Sequence, residues 1–381
     1  MRVSRRGDVD AFIVMDVMEA ARALEAEGRS IIHMEVGQPG TPAPATARAA
    51  LAAAMEEDAL GYTVTLGLPA LRQGIADLYR RWYGVELDPA RVVVTAGSSG
   101  AFLLAFSAAF DAGEKVAMGL PGYPSYRHVL KALSLDPVGV LTDATTRFQP
   151  VPAQIPDDVA GLIVASPGNP SGTMLGHAQL RALAEDCAAR GITLISDEIY
   201  HGLHYGERAV SALEVTDDVI VVNSFSKYFS MTGWRIGWMV VPPDMVRQVE
   251  RLSQNMFICA PHAAQVAALA ALDGIDEMEA NLAVYAENRR LMIEGLPKAG
   301  FANFAPPDGA FYIYADVSDL TDDSRALAAR ILHEAGVAVT PGLDFDPERG
   351  HTTLRFSYAR ATADIVEGLA RLQAWAAGSR G

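Results

Sequence analysis

Two textures alternate along the chain. Short runs such as Val92-Val93-Val94-Thr95 are apolar, β-branched and too brief for a helix, and they read as buried strands. Similar runs occupy residues 115–118, 161–165, 192–195, 219–222 and 236–241. Between them, residues 100–110 are apolar and Ala-rich, and this stretch and 177–190 read as helices. Strand, helix, strand alternation with near-continuous apolar strands predicts a mostly parallel sheet covered on both faces.

Beyond about Pro242 the pattern changes. Residues 244–254, 262–272 and 276–296 read as helices, the last one long and stopped by Pro297 and Gly300. A second α/β unit follows, with strands at 309–315 and 353–358 and helices at 323–335 and 365–377. The expected fold class is therefore α/β: a large three-layer domain with a mostly parallel sheet, plus a smaller α/β domain. The expected division is 1–44 as an N-terminal segment belonging to the small domain, 45–275 as the large domain and 276–381 as the small one. Residues 37–44, rich in Pro and Gly, form a turn region between an N-terminal helix and the large domain.

Bulk properties fit this reading. A chain of 381 residues exceeds one typical core, and half of it is hydrophobic. Its 31 basic against 46 acidic residues give −15, which disfavours nucleic acid and anionic membranes as partners. A local basic pocket can still sit inside an acidic protein. Cys187 and Cys259 form no CxxC pair, so they read as core filler in a reducing compartment, the cytoplasm. Asp8, Asp10, Asp16 and Glu19 interrupt any secretory h-region, and no apolar run reaches the roughly 18 residues of a membrane span.

The polar clusters carry the candidate chemistry. In open α/β sheets, ligands bind outside the carboxyl ends of the strands. Four clusters follow strands here: Gly97-Ser98-Ser99-Gly100, the run from Pro167 to Gly172 around Asn169, Asp197-Glu-Ile-Tyr200, and Ser224-Phe-Ser-Lys227. The first opens a helix, where free N–H groups and the helix dipole attract phosphate. A lysine at the end of an apolar strand is costly to keep as a cation, so it titrates readily or is consumed as an imine. Arg235, close after Gly233, offers a two-pronged donor for a dianion. Asp197 can hold a cationic ring nitrogen, and Tyr200 can donate to an oxygen beside it. His201 and His204 lie three apart, but nothing is spaced to complete a metal site, so none is expected.

These segments together resemble the class I/II aminotransferases, the fold-type I enzymes dependent on pyridoxal 5′-phosphate (PLP) and similar to aspartate aminotransferase. The resemblance rests on Ser166-Pro-Gly-Asn169-Pro-Ser-Gly172, Ser196-Asp197-Glu-Ile-Tyr200, Ser224-Phe-Ser-Lys227 and Gly233-Trp-Arg235-Ile-Gly237. The segments from Tyr62 to Arg72, Pro121 to Tyr126 and Arg355 to Ala359 agree, in register over nearly the whole chain.

The resemblance implies the PLP-dependent transferase fold and an exchange of an amino group between an L-amino acid and a 2-oxo acid. It implies Lys227 as the Schiff-base lysine and proton shuttle, Asp197 on the pyridine nitrogen, and Asn169 and Tyr200 on the phenolic oxygen. Gly97, Ser98, Ser99, Ser224 and Arg235 are implied to hold the phosphate, with Tyr123 stacked on the ring. Arg355, with Gly37 and Asn169, is implied to bind the substrate carboxylate. Tyr62 is implied to reach the neighbouring subunit's phosphate, hence a homodimer with shared sites. A carbon–sulfur β-lyase on the same fold is the alternative. Ser224-x-x-Lys227 also formally matches a serine–lysine hydrolase motif, whose companion tripeptides Ser-Asp-Asn and Lys-Thr-Gly are absent. No residue is assignable to the substrate side chain.

Overall fold

The computed structural model describes residues 1–379. In chain order its strands are β1 (Ile32–His33), β2 (Val92–Thr95), β3 (Lys115–Leu120), β4 (Asp136–Leu141), β5 (Gly161–Ala165), β6 (Thr193–Asp197), β7 (Ile220–Ser224), β8 (Gly237–Val240), β9 (Asn303–Phe304), β10 (Tyr312–Asp316), β11 (Val337–Ala338), β12 (Thr340–Pro341) and β13 (Thr353–Ser357). The helices are α1 (Ile13–Ala26), α2 (Ala45–Glu57), α3 (Pro69–Tyr83), α4 (Gly97–Ala109), α5 (Pro124–Ala132), α6 (His177–Arg190), α7 (Val246–Met256), α8 (His262–Ala271), α9 (Ile275–Gly295), α10 (Ser324–Ala335) and α11 (Thr362–Ser379).

The apolar strands assemble as one sheet in the order β2-β8-β7-β6-β5-β3-β4. Only β8 runs antiparallel to its neighbours within it, so the sheet is mostly parallel, as the alternation predicts. Alternate residues go to opposite faces. Val93, Ile163, Ile195, Val222 and Met239 pack with Phe102 and Phe106 of α4. Val94, Val164, Leu194, Val221 and Trp238 pack with Tyr79 of α3 and Leu183 of α6. Burial on both faces is why these strands read as unbroken apolar runs.

Two expectations are corrected. The sheet has a further edge strand, β4, beyond the runs read as complete. Its sequence Asp-Pro-Val-Gly-Val-Leu is mostly exposed or half-buried, and an edge tolerates Pro137. The strand expected from residue 309 begins only at Tyr312, because residues 308–310 form a turn. There Asp308 and Gly309 both donate to the Gly172 carbonyl, and Ala310 donates to that of Leu203.

The C-terminal strands form a second sheet, β12-β13-β10-β9. The N-terminal segment joins it: β1 pairs in parallel with β11, Ser357 N–H donates to Met34 O (2.7 Å), and Gly40 N–H donates to Ala359 O (2.9 Å). Residues 35–37 are thereby laid across the open edge of the large sheet. Helix α1 has Phe12 at its N-cap, which carries no capping oxygen. The buried Asp344 carboxylate replaces it, accepting from Ile13 N–H (3.0 Å) and Val14 N–H (3.2 Å).

Asp344→Ala therefore loosens α1, by about 0.5–2 kcal/mol. Hydrogen exchange should speed up at residues 13–26 and stay unchanged in β5–β7.

Candidate active site

Strands β2, β3, β5, β6 and β7 all end on the same edge of the large sheet, and the turns that follow them surround a cavity of about 240 Å³. Residues 36–38 and Arg355 close it from the other side. Each wall can be built from its element.

After β2, Gly97 starts α4 at φ +70°, a conformation that favours glycine. A Cβ there would lie 2.4 Å from Arg235 Nη2, so only glycine lets the guanidinium approach the helix N-terminus. Arg235 itself is left-handed (φ 53°), which turns its side chain back to donate to Thr232 O (2.8 Å) and toward Ser99 Oγ (3.5 Å). Ser98 and Ser99 line the cavity beside it.

After β6, Asp197 is buried and accepts a hydrogen bond from the Tyr126 hydroxyl and one from Ile199 N–H (3.1 Å). Burial pushes its carboxyl up to about 6, against those bonds and the Lys227 charge. Tyr200 is buried, and its hydroxyl pairs with Tyr312 Oη (2.7 Å). After β7, Lys227 donates from Nζ to Gly37 O (2.6 Å). Burial, reinforced by the charges of Arg355 and Arg235, brings the amine down to about 8, and Asp197 opposes that.

On β13, Arg355 donates from Nη1 to Asn169 Oδ1 (2.9 Å) and from Nη2 to Glu35 O and Thr340 Oγ1, while its buried Nε has no partner. Its guanidinium lies between the Tyr312 ring (4.4 Å) and the Phe345 ring (4.6 Å). Neither Arg235 nor Arg355 forms an ion pair among the described residues. Among the described residues the cavity wall holds three cations, Lys227, Arg235 and Arg355, against one carboxylate, Asp197. A strongly acidic chain thus carries a positive pocket.

Ser98, Ser99, Tyr123, Asn169, Asp197, Tyr200, Lys227, Arg235, Gly37 and Arg355 all line this cavity. Gly97 stands just behind it, against Arg235. Ser224 does not line it: its hydroxyl is spent on Ser226 Oγ (2.7 Å) and Ile236 O (3.0 Å), and Ser226 faces the cavity in its place. Tyr62 lies away from it, 83% exposed.

Several lining residues escape sequence reasoning. Tyr126 could have been found, since it lies one helical turn from Tyr123. Tyr312 has no local signal; it arrives through the β10–β13 pairing. Phe12, Val14 and Met15 come from the N-terminus, and Phe12 meets Tyr123 edge to face at 6.0 Å.

The pattern of the family described as aminotransferase class I and II matches residues 29–372. The chain belongs to the class I and II aminotransferases. It is similar to the valine–pyruvate aminotransferase of Mycobacterium tuberculosis, with 46% identity over 98% of each chain. A crystal structure from Silicibacter pomeroyi superposes with a TM-score of 0.95 at 66% identity, covering 99% of this chain and all of that one (100%). The aspartate aminotransferase of Thermus thermophilus, solved with maleate, superposes at 0.92 with 30% identity, covering 98% of this chain and 100% of that one. Amino-group transfer is thus the activity of this aminotransferase, and the mixed α/β fold with a large, mostly parallel sheet is that of its relatives.

In the cofactor-free aminotransferase, labelling of Lys227 by an amine-reactive reagent should rise with pH through a midpoint near 8, where free lysine gives about 10.5. Arg355→Leu removes a repelling charge, so the midpoint should move upward.

Proposed function

We propose that this chain transfers the amino group of an apolar L-amino acid to a 2-oxo acid, with PLP held at Lys227. The observation that carries the reading is the lone lysine amine facing two unpaired guanidinium groups across one cavity. The donor set fits PLP. The opening turn of α4, the Ser98 and Ser99 hydroxyls and Arg235 suit a phosphate dianion, and the Gly97 notch keeps that end open. The Asp197 carboxylate suits a protonated ring nitrogen, Tyr200 and Asn169 suit the phenolic oxygen, and Tyr123 offers a ring face. Bound there, the cofactor supplies an aldehyde that condenses with amines and a pyridinium ring that draws electrons from the carbon bearing the amine.

The chain's own groups do the rest. Arg355, which lines the cavity, grips the donor's α-carboxylate, and aromatic rings on both sides fix its plane. That grip aims the Cα–H at Lys227. Once the donor's amine replaced it on the cofactor, the Lys227 amine would be released neutral and would take the proton from Cα. Tyr200, held by Tyr312, keeps a donor aimed at the phenolic oxygen.

Apolar donors are favoured by what remains of the wall. Once the three cations are assigned, Phe12, Val14, Met15 and Val36 face the space beyond Cα, with no further cation among the described lining residues. A second carboxylate, as in aspartate, would be left unpaired. The similarity to a valine–pyruvate aminotransferase points the same way.

The strongly exposed Tyr62, which lines one open surface pocket with Phe257 and Pro261, supports a homodimer in which Tyr62 serves the neighbouring site. The division into a large domain at 45–275 and a small one built from 1–44 and 276–381 is supported by the strand pairing of β1 with β11. Both cysteines are free, in keeping with a cytoplasmic setting. Among the described residues no helix is long and apolar enough to cross a membrane.

Borohydride reduction of the PLP-treated protein followed by peptide mapping should place the reduced tag on Lys227, and Lys227→Ala should lose both tag and turnover. A tag elsewhere overturns the assignment. Single-turnover absorbance with an amino-acid panel should favour valine and alanine over aspartate. Met15→Arg, at a position 48% exposed, should raise the rate constant with aspartate relative to valine by roughly fivefold, the worth of about 1 kcal/mol in a half-exposed ion pair. Pyruvate and ammonia from a cysteine conjugate, without amino exchange, would favour the lyase reading.

A further inference from the structure

His201 follows Tyr200 and is buried beneath the cavity floor without lining it. Its Nε2 lies 2.8 Å from the Ser166 carbonyl, and its Nδ1 lies 2.6 Å from Tyr83 Oη. A carbonyl only accepts, so Nε2 carries the proton, and Nδ1 accepts from the Tyr83 hydroxyl. Burial pushes the imidazole down to about 3, so this neutral tautomer persists across the working pH range. The Glu198 carboxylate, 3.6 Å from Nδ1, is occupied by Ser211 Oγ (2.9 Å) and Ala212 N–H (2.7 Å).

Ser166 is the junction between β5 and the turn that carries Asn169. Its N–H donates to Asp197 O (3.2 Å), its hydroxyl accepts from Leu175 N–H (2.9 Å), and its carbonyl takes the His201 bond. The imidazole therefore ties the turn after β5 to the turn after β6, which carries Tyr200. We infer that His201 is a positioning residue: its Nε2–H bond to the Ser166 carbonyl sets the spacing between Asn169 and Tyr200, the two groups that flank the phenolic oxygen of the cofactor. This rests on the PLP reading above.

Two conservative variants separate that bond from the rest of the side chain. In His201→Gln the side-chain amide nitrogen lies near the Nε2 position and can still donate to Ser166. His201→Asn places its amide at the Nδ1 position, keeps the Tyr83 contact and loses the Ser166 bond. The readout is the protonation midpoint of the lysine–cofactor chromophore, followed by absorbance against pH in the PLP-loaded protein, with thermal stability measured alongside. Weakened support of the phenolate raises the proton affinity of the neighbouring nitrogen. His201→Asn should therefore raise the midpoint by about one pH unit, the worth of one hydrogen bond. His201→Gln should stay within about a quarter of that shift. Adding Asn169→Ala to His201→Asn should move the midpoint by less than the sum of the two single shifts.

An unmoved midpoint in His201→Asn, equal shifts in both variants, or additive shifts in the double variant would overturn the inference and leave His201 a packing residue. A wild-type protein that acquires no chromophore with PLP would instead overturn the cofactor reading.

Discussion

Three cations share one cavity wall with a single carboxylate, and neutral acceptors hold them there. Lys227 donates to the Gly37 carbonyl, Arg235 to that of Thr232, and Arg355 to that of Glu35 and to the Asn169 amide oxygen. A carbonyl satisfies a donor without cancelling its charge. The side chains are ordered before any ligand arrives, and their positive potential stays available to anions. Had acids held them, a phosphate or carboxylate would have to displace an ion pair. Burial first, and then those uncancelled charges, bring the Lys227 amine down to a range where a neutral amine exists near neutrality.

That arrangement depends on one crossing of the chain. Residues 35–37 leave β1, pass over the open sheet edge and present the Glu35 carbonyl to Arg355 and the Gly37 carbonyl to Lys227. The crossing is tight: a Cβ on Gly37 would fall 1.7 Å from the Tyr312 hydroxyl. Its course is fixed by pairing with the C-terminal sheet and by Thr340 Oγ1, which donates to Glu35 O (2.8 Å). Arg355 and Lys227, from distant parts of the sequence, are thus referenced to the same three residues.

In and beneath the cavity wall, three buried polar side chains are each held by a tyrosine hydroxyl. Tyr126 holds Asp197, Tyr312 holds Tyr200, and Tyr83 holds His201. An unpaired polar group at such depth is costly, so the pairs both remove that cost and lock the geometry. Aromatic hydroxyls suit the task because a rigid ring reaches across the apolar layer and loses little rotamer freedom.

By itself the sequence determined the local events: which runs are strands, that a polar cluster follows each of four of them, and that Gly97, Asp197, Lys227 and Arg235 are candidates for the chemistry. These are legible because a strand buried on both faces must be apolar throughout, and the polar residues that interrupt it fall at its end. The edge strand β4 was hidden, because with one neighbour and a half-exposed face it needs no such run. Tertiary structure alone decided the rest. Strand pairing delivered Tyr312, and the docking of α1 on Asp344 brought Phe12, Val14 and Met15 to the cavity. Each of those depends on contacts between residues far apart in the chain, and the period of a local pattern carries no record of its distant partner.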